Sequence, residues 1–192
     1  MAADYDDQLW ELVPENPGAP PEHMARFVRE LGPVVRALDY GCGDGRLTLE
    51  LEAADLTVAD VSLVALKRAR TRLSSATLVL LEPDTQLPFD DSAFDLVLCA
   101  ETIEHVQDTQ RLLSEFRRVL APGGTLAITT PAHGRRTGLR VLLRGIERSF
   151  DPMSPHLRFY SRASLVHALD VMGFEPRRVR TVDGTLLALA ER

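Results

Sequence analysis

The chain has 192 residues, 45% hydrophobic and 26% charged, with 22 basic against 28 acidic side chains and a net charge of −6. That is the profile of one globular domain long enough to bury its own core, and it weighs against nucleic acid as a partner, which calls for a basic excess or stripe. Two cysteines, Cys42 and Cys99, are too few for a disulfide framework or a CxxC zinc module.

Residues 1–24 read as an arm. MAADYDDQLW lacks the apolar stretch of a signal peptide, and no apolar run in the chain is long enough to span a bilayer, so a cytoplasmic location is expected. VPENPGAPPEH is a Pro- and Gly-rich loop. Tyr5, Leu9, Trp10, Leu12 and Val13 would anchor the arm or fold it as a lid over a pocket. Residues 25–192 then read as a single domain. Ala25 to Leu31 spaces its apolar residues as a short helix, VVRALDYG is a strand ending at Gly41, and GRLTLELE opens a helix. LTVADVS is a second strand, followed by the helix SLVALKRARTRL with Ser62 as its N-cap. ATLVLLEP is a third strand and FDLVLCA a fourth. Asp108 to Leu120 is a helix that turns Leu112, Leu113, Phe116, Val119 and Leu120 inward; APGG stops it, and TLAITTP is a fifth strand. Unbroken apolar strands alternating with helices specify a doubly wound, mostly parallel α/β sheet of the Rossmann-like kind. Ser161 to Met172 is a last helix ended by Gly173. EPRRVRTV and TLLALAER, joined by Asp183-Gly184, form an antiparallel C-terminal hairpin.

LDYGCGDGR follows the first strand and places Gly41, Gly43 and Gly45 in a G-x-G-x-G turn. Such a turn lets backbone approach a ligand closely; its alternative role is a tight strand-to-helix connection. Asp60 closes the second strand nineteen residues after Gly41, where an acid can take both hydroxyls of a ribose. Asp39 would hold a ligand amine or bond the turn's own backbone. After the fourth strand, AETIEHV sets Glu101, Glu104 and His105 at i, i+3 and i+4, one face of a helix. Three readings stand: the polar first turn of a helix, a divalent metal site, and a general base at His105. His133 competes for the role of base, while His23 and His167 carry no signal.

ALDYGCGDGRL, VADVSLVALKRAR, LPFDDSAFDLVLCAETIEHV, LLSEFRRVLAPGGTLAITTP and HLRFYSRASLVHALDVMGF occur in this order from about Val34 to Phe174. Together they resemble the successive motifs of the class I S-adenosylmethionine-dependent methyltransferases. The resemblance implies a seven-stranded sheet and S-adenosylmethionine as cofactor. Asp39, Gly41, Cys42 and Gly43 would line its methionine part, Asp60 its ribose and Val61 its adenine, with Ala100 also at the cofactor. The family often has an Asp where this chain has Pro83, so the adenine edge would fall to Asp84 and the Thr85 backbone. Two metal-using branches, the ubiquinone-type O-methyltransferases and the RNA 3′-terminal 2′-O-methyltransferases, add a distal histidine ahead of an aromatic residue. PHLRFYS supplies His156 there, which completes a set of Glu101, Glu104, His105 and His156 for Mg, Mn or Zn. The expected function is methyl transfer to a small-molecule hydroxyl, with His105 and Glu101 as catalytic residues. The alternatives are metal-dependent RNA 2′-O-methylation and a non-catalytic cofactor-binding protein on the same fold. Residues 132–160 form an insertion expected to cap the acceptor pocket. Its Leu139, Leu142, Leu143 and Ile146 share a helix face beside Arg136, Arg140, Arg144 and Arg148. Acceptor identity and oligomeric state are not legible.

Overall fold

Strands that are apolar along their whole length need cover on both faces, and this chain supplies it with helices. The computed structural model describes residues 2–83, 85–145 and 155–192. In order, the elements are α1 (Ala2–Leu12), α2 (Glu22–Arg29), β1 (Val34–Tyr40), β2 (Ala53–Asp60), α3 (Leu63–Arg72), β3 (Thr77–Leu80), β4 (Phe94–Ala100), α4 (Thr109–Val119), β5 (Leu120–Pro131), α5 (Arg135–Arg144), α6 (Arg162–Val171), β6 (Glu175–Val182) and β7 (Thr185–Glu191). They form one seven-stranded sheet of order β3-β2-β1-β4-β5-β7-β6. β1 to β5 pair in parallel, and β7 inserts antiparallel between β5 and β6, so the Asp183-Gly184 hairpin stands as read. The strand order reverses between β1 and β4, and the carboxyl ends of those strands open the crevice where such sheets bind ligands.

Alternation along each strand divides the core in two. Leu38, Val97, Cys99 and Ile128 face α4 and α6, burying Leu113, Phe116, Leu165 and Leu169. Ala37, Leu96, Leu98, Ala127 and Leu187 face the other way, against Phe27 and Val28 of α2. Three helices start at side-chain caps: Ser62 Oγ accepts from Ala65 N, Asp108 from Arg111 N, and Ser161 from Ser164 N in a capping box.

Three segments differ from the sequence reading. GRLTLELE makes only a 3-10 turn at Thr48–Glu50. β2 begins at Ala53, ahead of the LTVADVS stretch, so too few residues remain for a helix. Leu47 and Leu51 instead pack on the α2 side of the core. α2 starts at Glu22 behind Pro21, whose φ of −54° suits a helix entry. The arm is not all loop: its first residues form α1. Asp84, Ile146 and Arg148 lie outside the described residues, as does the middle of the insertion.

Phe116 is fully buried on the inner face of α4 and meets the Tyr40 ring edge-on at 5.1 Å, at the end of β1. Phe116→Ala leaves a cavity beneath the crevice. We expect it to cost about 3–5 kcal/mol in urea unfolding, without changing the far-UV circular dichroism of the native state.

Candidate active site

The turn after β1 is built for close approach. Gly41, Gly43 and Gly45 have φ of +72°, +56° and +77°. A Cβ at Gly41 would lie 2.4 Å from the Thr102 side chain, and one at Gly43 would lie 2.6 Å from the Trp10 ring. Gly41 N and Cys42 N both donate to Ala59 O, tying the turn to β2. Asp60 completes the tie: one carboxylate oxygen accepts from Gly43 N at 2.8 Å and the other from Ser62 N at 2.9 Å. Burial raises the Asp60 pKa to about 6 against the pull of those amides. Asp39 lies beneath the turn, 2% exposed; its Oδ2 accepts from Thr48 Oγ1 at 2.6 Å. Its Oδ1 is buried with no hydrogen-bond partner among the described residues. Burial, with the neighbouring Asp60 charge, pushes Asp39 up to about 7.

Above the turn lies a cavity of about 290 Å³, near the small end of ligand-sized sites. Gly41, Asp60 and Val61 line one side, Glu101, Thr102 and His105 the other, with Leu81 and Pro83 between them. Asp6, Leu9 and Trp10 of α1 cover it. α1 is held there by Asp7, whose carboxylate accepts from Ser62 Oγ at 2.6 Å and Val64 N at 3.1 Å. Arg68 donates to Val13 O at 2.9 Å and lies over the Trp10 ring. Asp6 brings a further carboxylate to the wall, and burial together with Asp7 raises its pKa.

The opposite wall corrects the reading of AETIEHV as a helical face. Only Ile103–His105 turns, as a 3-10 segment, and Glu101 sits at φ +49°. The i, i+3, i+4 geometry is therefore absent, and Glu101 parts from Glu104 and His105. Glu101 accepts from Thr129 Oγ1 at 3.0 Å while its backbone N–H donates to Thr129 O. Glu104 is buried: Oε2 accepts from Thr130 Oγ1 at 2.9 Å and Oε1 has no hydrogen-bond partner among the described residues. Burial, reinforced by Glu101, pushes the Glu104 pKa to about 7.

His105 Nδ1 lies 3.1 Å from Pro155 O. A carbonyl only accepts, so Nδ1 carries the proton and Nε2 the lone pair. Burial and the adjacent His156 hold the His105 pKa down. The His156 ring stands edge-on to His105 at 4.8 Å. The segment carrying it is pinned by Leu157 N and Arg158 N, which both donate to Glu104 O. Ligand-capable atoms of Glu104, His105 and His156 all lie within 4.8 Å of one another. Glu101, the fourth expected ligand, stands outside that cluster.

Cys42 is buried in the turn, and the carbonyl of Ala100, the last residue of β4, accepts from Thr102 Oγ1. Thr85 bonds Glu82 O and lines a smaller hollow beside Tyr40. His133 stacks edge-on against Phe159 at the base of the insertion, and His23 meets Thr185 near the hairpin. Sequence reasoning passed over Asp6, Thr129 and Thr130. Its one signal for the first was the chain's single tryptophan, in an arm of helical composition.

A family model described as "Methyltransferase domain" matches residues 38–128. The chain is 37% identical over 98 residues to an uncharacterized methyltransferase of Mycobacterium tuberculosis, spanning 48% of this chain and 49% of that protein. It is 31% identical over 134 residues to the malonyl-[acyl-carrier protein] O-methyltransferase of Salmonella typhimurium, 69% of this chain and 51% of that one. The chain thus spans about half the length of these curated relatives. A solved SAM-dependent methyltransferase from Aquifex aeolicus shares the fold with a TM-score of 0.67 at 19% identity, covering 90% of this chain and 93% of that one.

The buried Asp39 gives a signed pH dependence. Its native pKa of about 7 stands above the unfolded value of about 3.9, so the native state holds this proton more tightly. Its contribution to stability is full below pH ~4, falls through the interval up to about 7 and is flat beyond. The urea midpoint of the wild type relative to Asp39→Asn should fall as pH rises from 4.5 to 7.5. A difference that rises or stays level would contradict this assignment.

Proposed function

This chain belongs to the class I S-adenosylmethionine-dependent methyltransferases, and from that premise we propose that it transfers a methyl group to a small-molecule acceptor, at a hydroxyl oxygen. The observation carrying the proposal is the cavity between two unlike walls, Gly41 and Asp60 on one side and Glu101 and His105 on the other. The first wall fits the cofactor. No Cβ intrudes at Gly41, and the Asp60 carboxylate is oriented by two amides while each oxygen keeps an accepting lone pair for a ribose hydroxyl. Val61, Leu81 and Pro83 offer apolar surface to an adenine. The unpartnered Asp39 Oδ1 is the group in the turn best suited to an ammonium, through the backbone or a water. When bound, S-adenosylmethionine supplies a methyl group on a cationic sulfur that leaves as a neutral thioether, so the protein's task is alignment and exclusion of water.

α1 performs the exclusion as a lid, with Leu9 and Trp10 over the cavity. On the second wall, the His105 imidazole is held by its Nδ1–H, leaving Nε2 to take the acceptor proton. Glu101 accepts a hydrogen bond from the acceptor and fixes its orientation. The relative that acts on malonyl-[acyl-carrier protein] is an O-methyltransferase, which favours oxygen over nitrogen or carbon. RNA as the acceptor draws no support from a cavity whose described wall carries Asp6, Asp60 and Glu101 and neither lysine nor arginine.

A second reading, a divalent metal held by Glu104, His105 and His156, is favoured by the buried, unpartnered Glu104 Oε1 beside two imidazoles. Mixed oxygen and nitrogen donors suit Mn or Zn. A metal there would act as a Lewis acid on the acceptor oxygen.

One measurement tests the function and a second separates the two readings. Asp60→Asn should weaken S-adenosylmethionine binding in calorimetry by about tenfold or more, since a charged hydrogen-bond acceptor is worth about 1.5–3 kcal/mol. A wild-type protein that binds no S-adenosylmethionine would sink the function. Dialysis against chelator followed by Mn or Zn should raise the unfolding temperature of the wild type and not of His156→Ala. Equal metal response in both, or none in either with transfer intact, leaves His105 as a metal-free base.

A further inference from the structure

α5 is amphipathic, but its apolar side faces out. At 3.6 residues per turn, Leu139, Leu142 and Leu143 share one side of the helix, while Thr137 and Val141 share the opposite one. Among the described side chains of the helix, Thr137 and Val141 are the half-buried ones, turned to the body of the protein. The three leucines are 56%, 80% and 74% exposed. A cap helix packed by its leucines would show the reverse. The sequence RRTGLRVLLR carries four arginines, Arg135, Arg136, Arg140 and Arg144, and no acid, in a chain whose net charge is −6. Residues 157 and 159 add two more exposed apolar side chains, Leu157 and Phe159, at 47% each. Isolated exposed leucines need no explanation, but an outward apolar stripe on a cationic helix does.

We propose that α5 docks on a bilayer surface containing anionic lipid, with Leu139, Leu142 and Leu143 entering the headgroup–acyl boundary and the cationic, acid-free sequence of the helix drawing it to the anionic headgroups. A cationic helix with an outward leucine stripe matches such a surface in both charge and polarity. The rest of the acidic chain would be repelled by it, which orients the contact through α5 alone. Docking would be reversible, because three leucines and a basic flank fall short of a permanent anchor. The insertion is tied to the site at its base, where Ala132 pairs with Tyr160, His133 N donates to Tyr160 O, and Leu157 N and Arg158 N donate to Glu104 O. A docked α5 therefore holds the acceptor side of the cavity close to the lipid interface and favours an amphiphilic acceptor. The surface itself is independent of the proposed transfer reaction.

The test is co-sedimentation of the full chain with unilamellar vesicles, of phosphatidylcholine alone or of phosphatidylcholine with phosphatidylglycerol. The wild type should partition onto the anionic vesicles at low ionic strength, and be released by neutral vesicles or by salt near ~0.5 M. Leu142→Glu/Leu143→Glu should reduce the bound fraction by about tenfold or more, and Arg144→Glu by a few-fold. Both variants alter exposed side chains, so unchanged unfolding temperatures would show that they fold. Wild type that remains in the supernatant with both vesicle types overturns the proposal, as does a double variant that sediments like the wild type. So does a concentration-dependent dimer abolished by the double variant without vesicle binding, which would give this face to a second copy.

Discussion

The Asp60 carboxylate joins three parts of the molecule: the second strand, the turn after the first, and the helix that follows. It closes β2, accepts the amide of Gly43 from the turn after β1, and accepts the amide of Ser62 at the start of α3. Ser62 extends the link: its hydroxyl accepts from Ala65 N to cap α3 and donates to Asp7 of α1. Asp7 thereby sets the height of α1, and α1 sets Trp10 over Gly43. Floor, wall and cover of the cavity are thus connected by hydrogen bonds running outward from one side chain. Because those bonds are made by backbone amides, the carboxylate is positioned before any ligand arrives.

Charge burial is concentrated at the same end of the sheet. Asp39, Asp60 and Glu104 follow or end β1, β2 and β4, and burial raises the pKa of each. Elsewhere, several half-buried charges are paired. Arg118, for instance, is shared among Glu115, Asp91 and two backbone carbonyls, and Arg36 is forked onto Asp95. Departures from local satisfaction in an otherwise consistent fold mark places that are kept for something other than stability. Two of them, Asp39 Oδ1 and Glu104 Oε1, lie at the crevice of the β1–β4 switch.

Much of this was legible in the sequence, for identifiable reasons. The parallel strands are apolar runs bounded by glycine, proline or acid, and α3, α4 and α6 begin at side chains that cap helices well. The turn at Gly41 to Gly45 and the acid at Asp60 are local patterns with local causes. The failures share a different cause. GRLTLELE and AETIEHV both have helical spacing, but each lies between a strand end and another fixed element, and too few residues remain between them for helix growth. α1 was obscured because its stability comes from Ser62, Val64 and Arg68, residues more than fifty positions away. His156 was placed by motif position, yet what brings it to His105 is a pair of backbone bonds to Glu104 O, to which no side-chain pattern points.

The cover of the cavity has an optical consequence. Trp10 is the chain's single tryptophan, pressed against a glycine and lying under the Arg68 guanidinium. Its emission has no competing indole to mask it. Any molecule that enters beneath α1 must change the polarity around that ring, so the protein carries its own fluorophore at the entrance, and occupancy and opening of the cavity can be timed without a label.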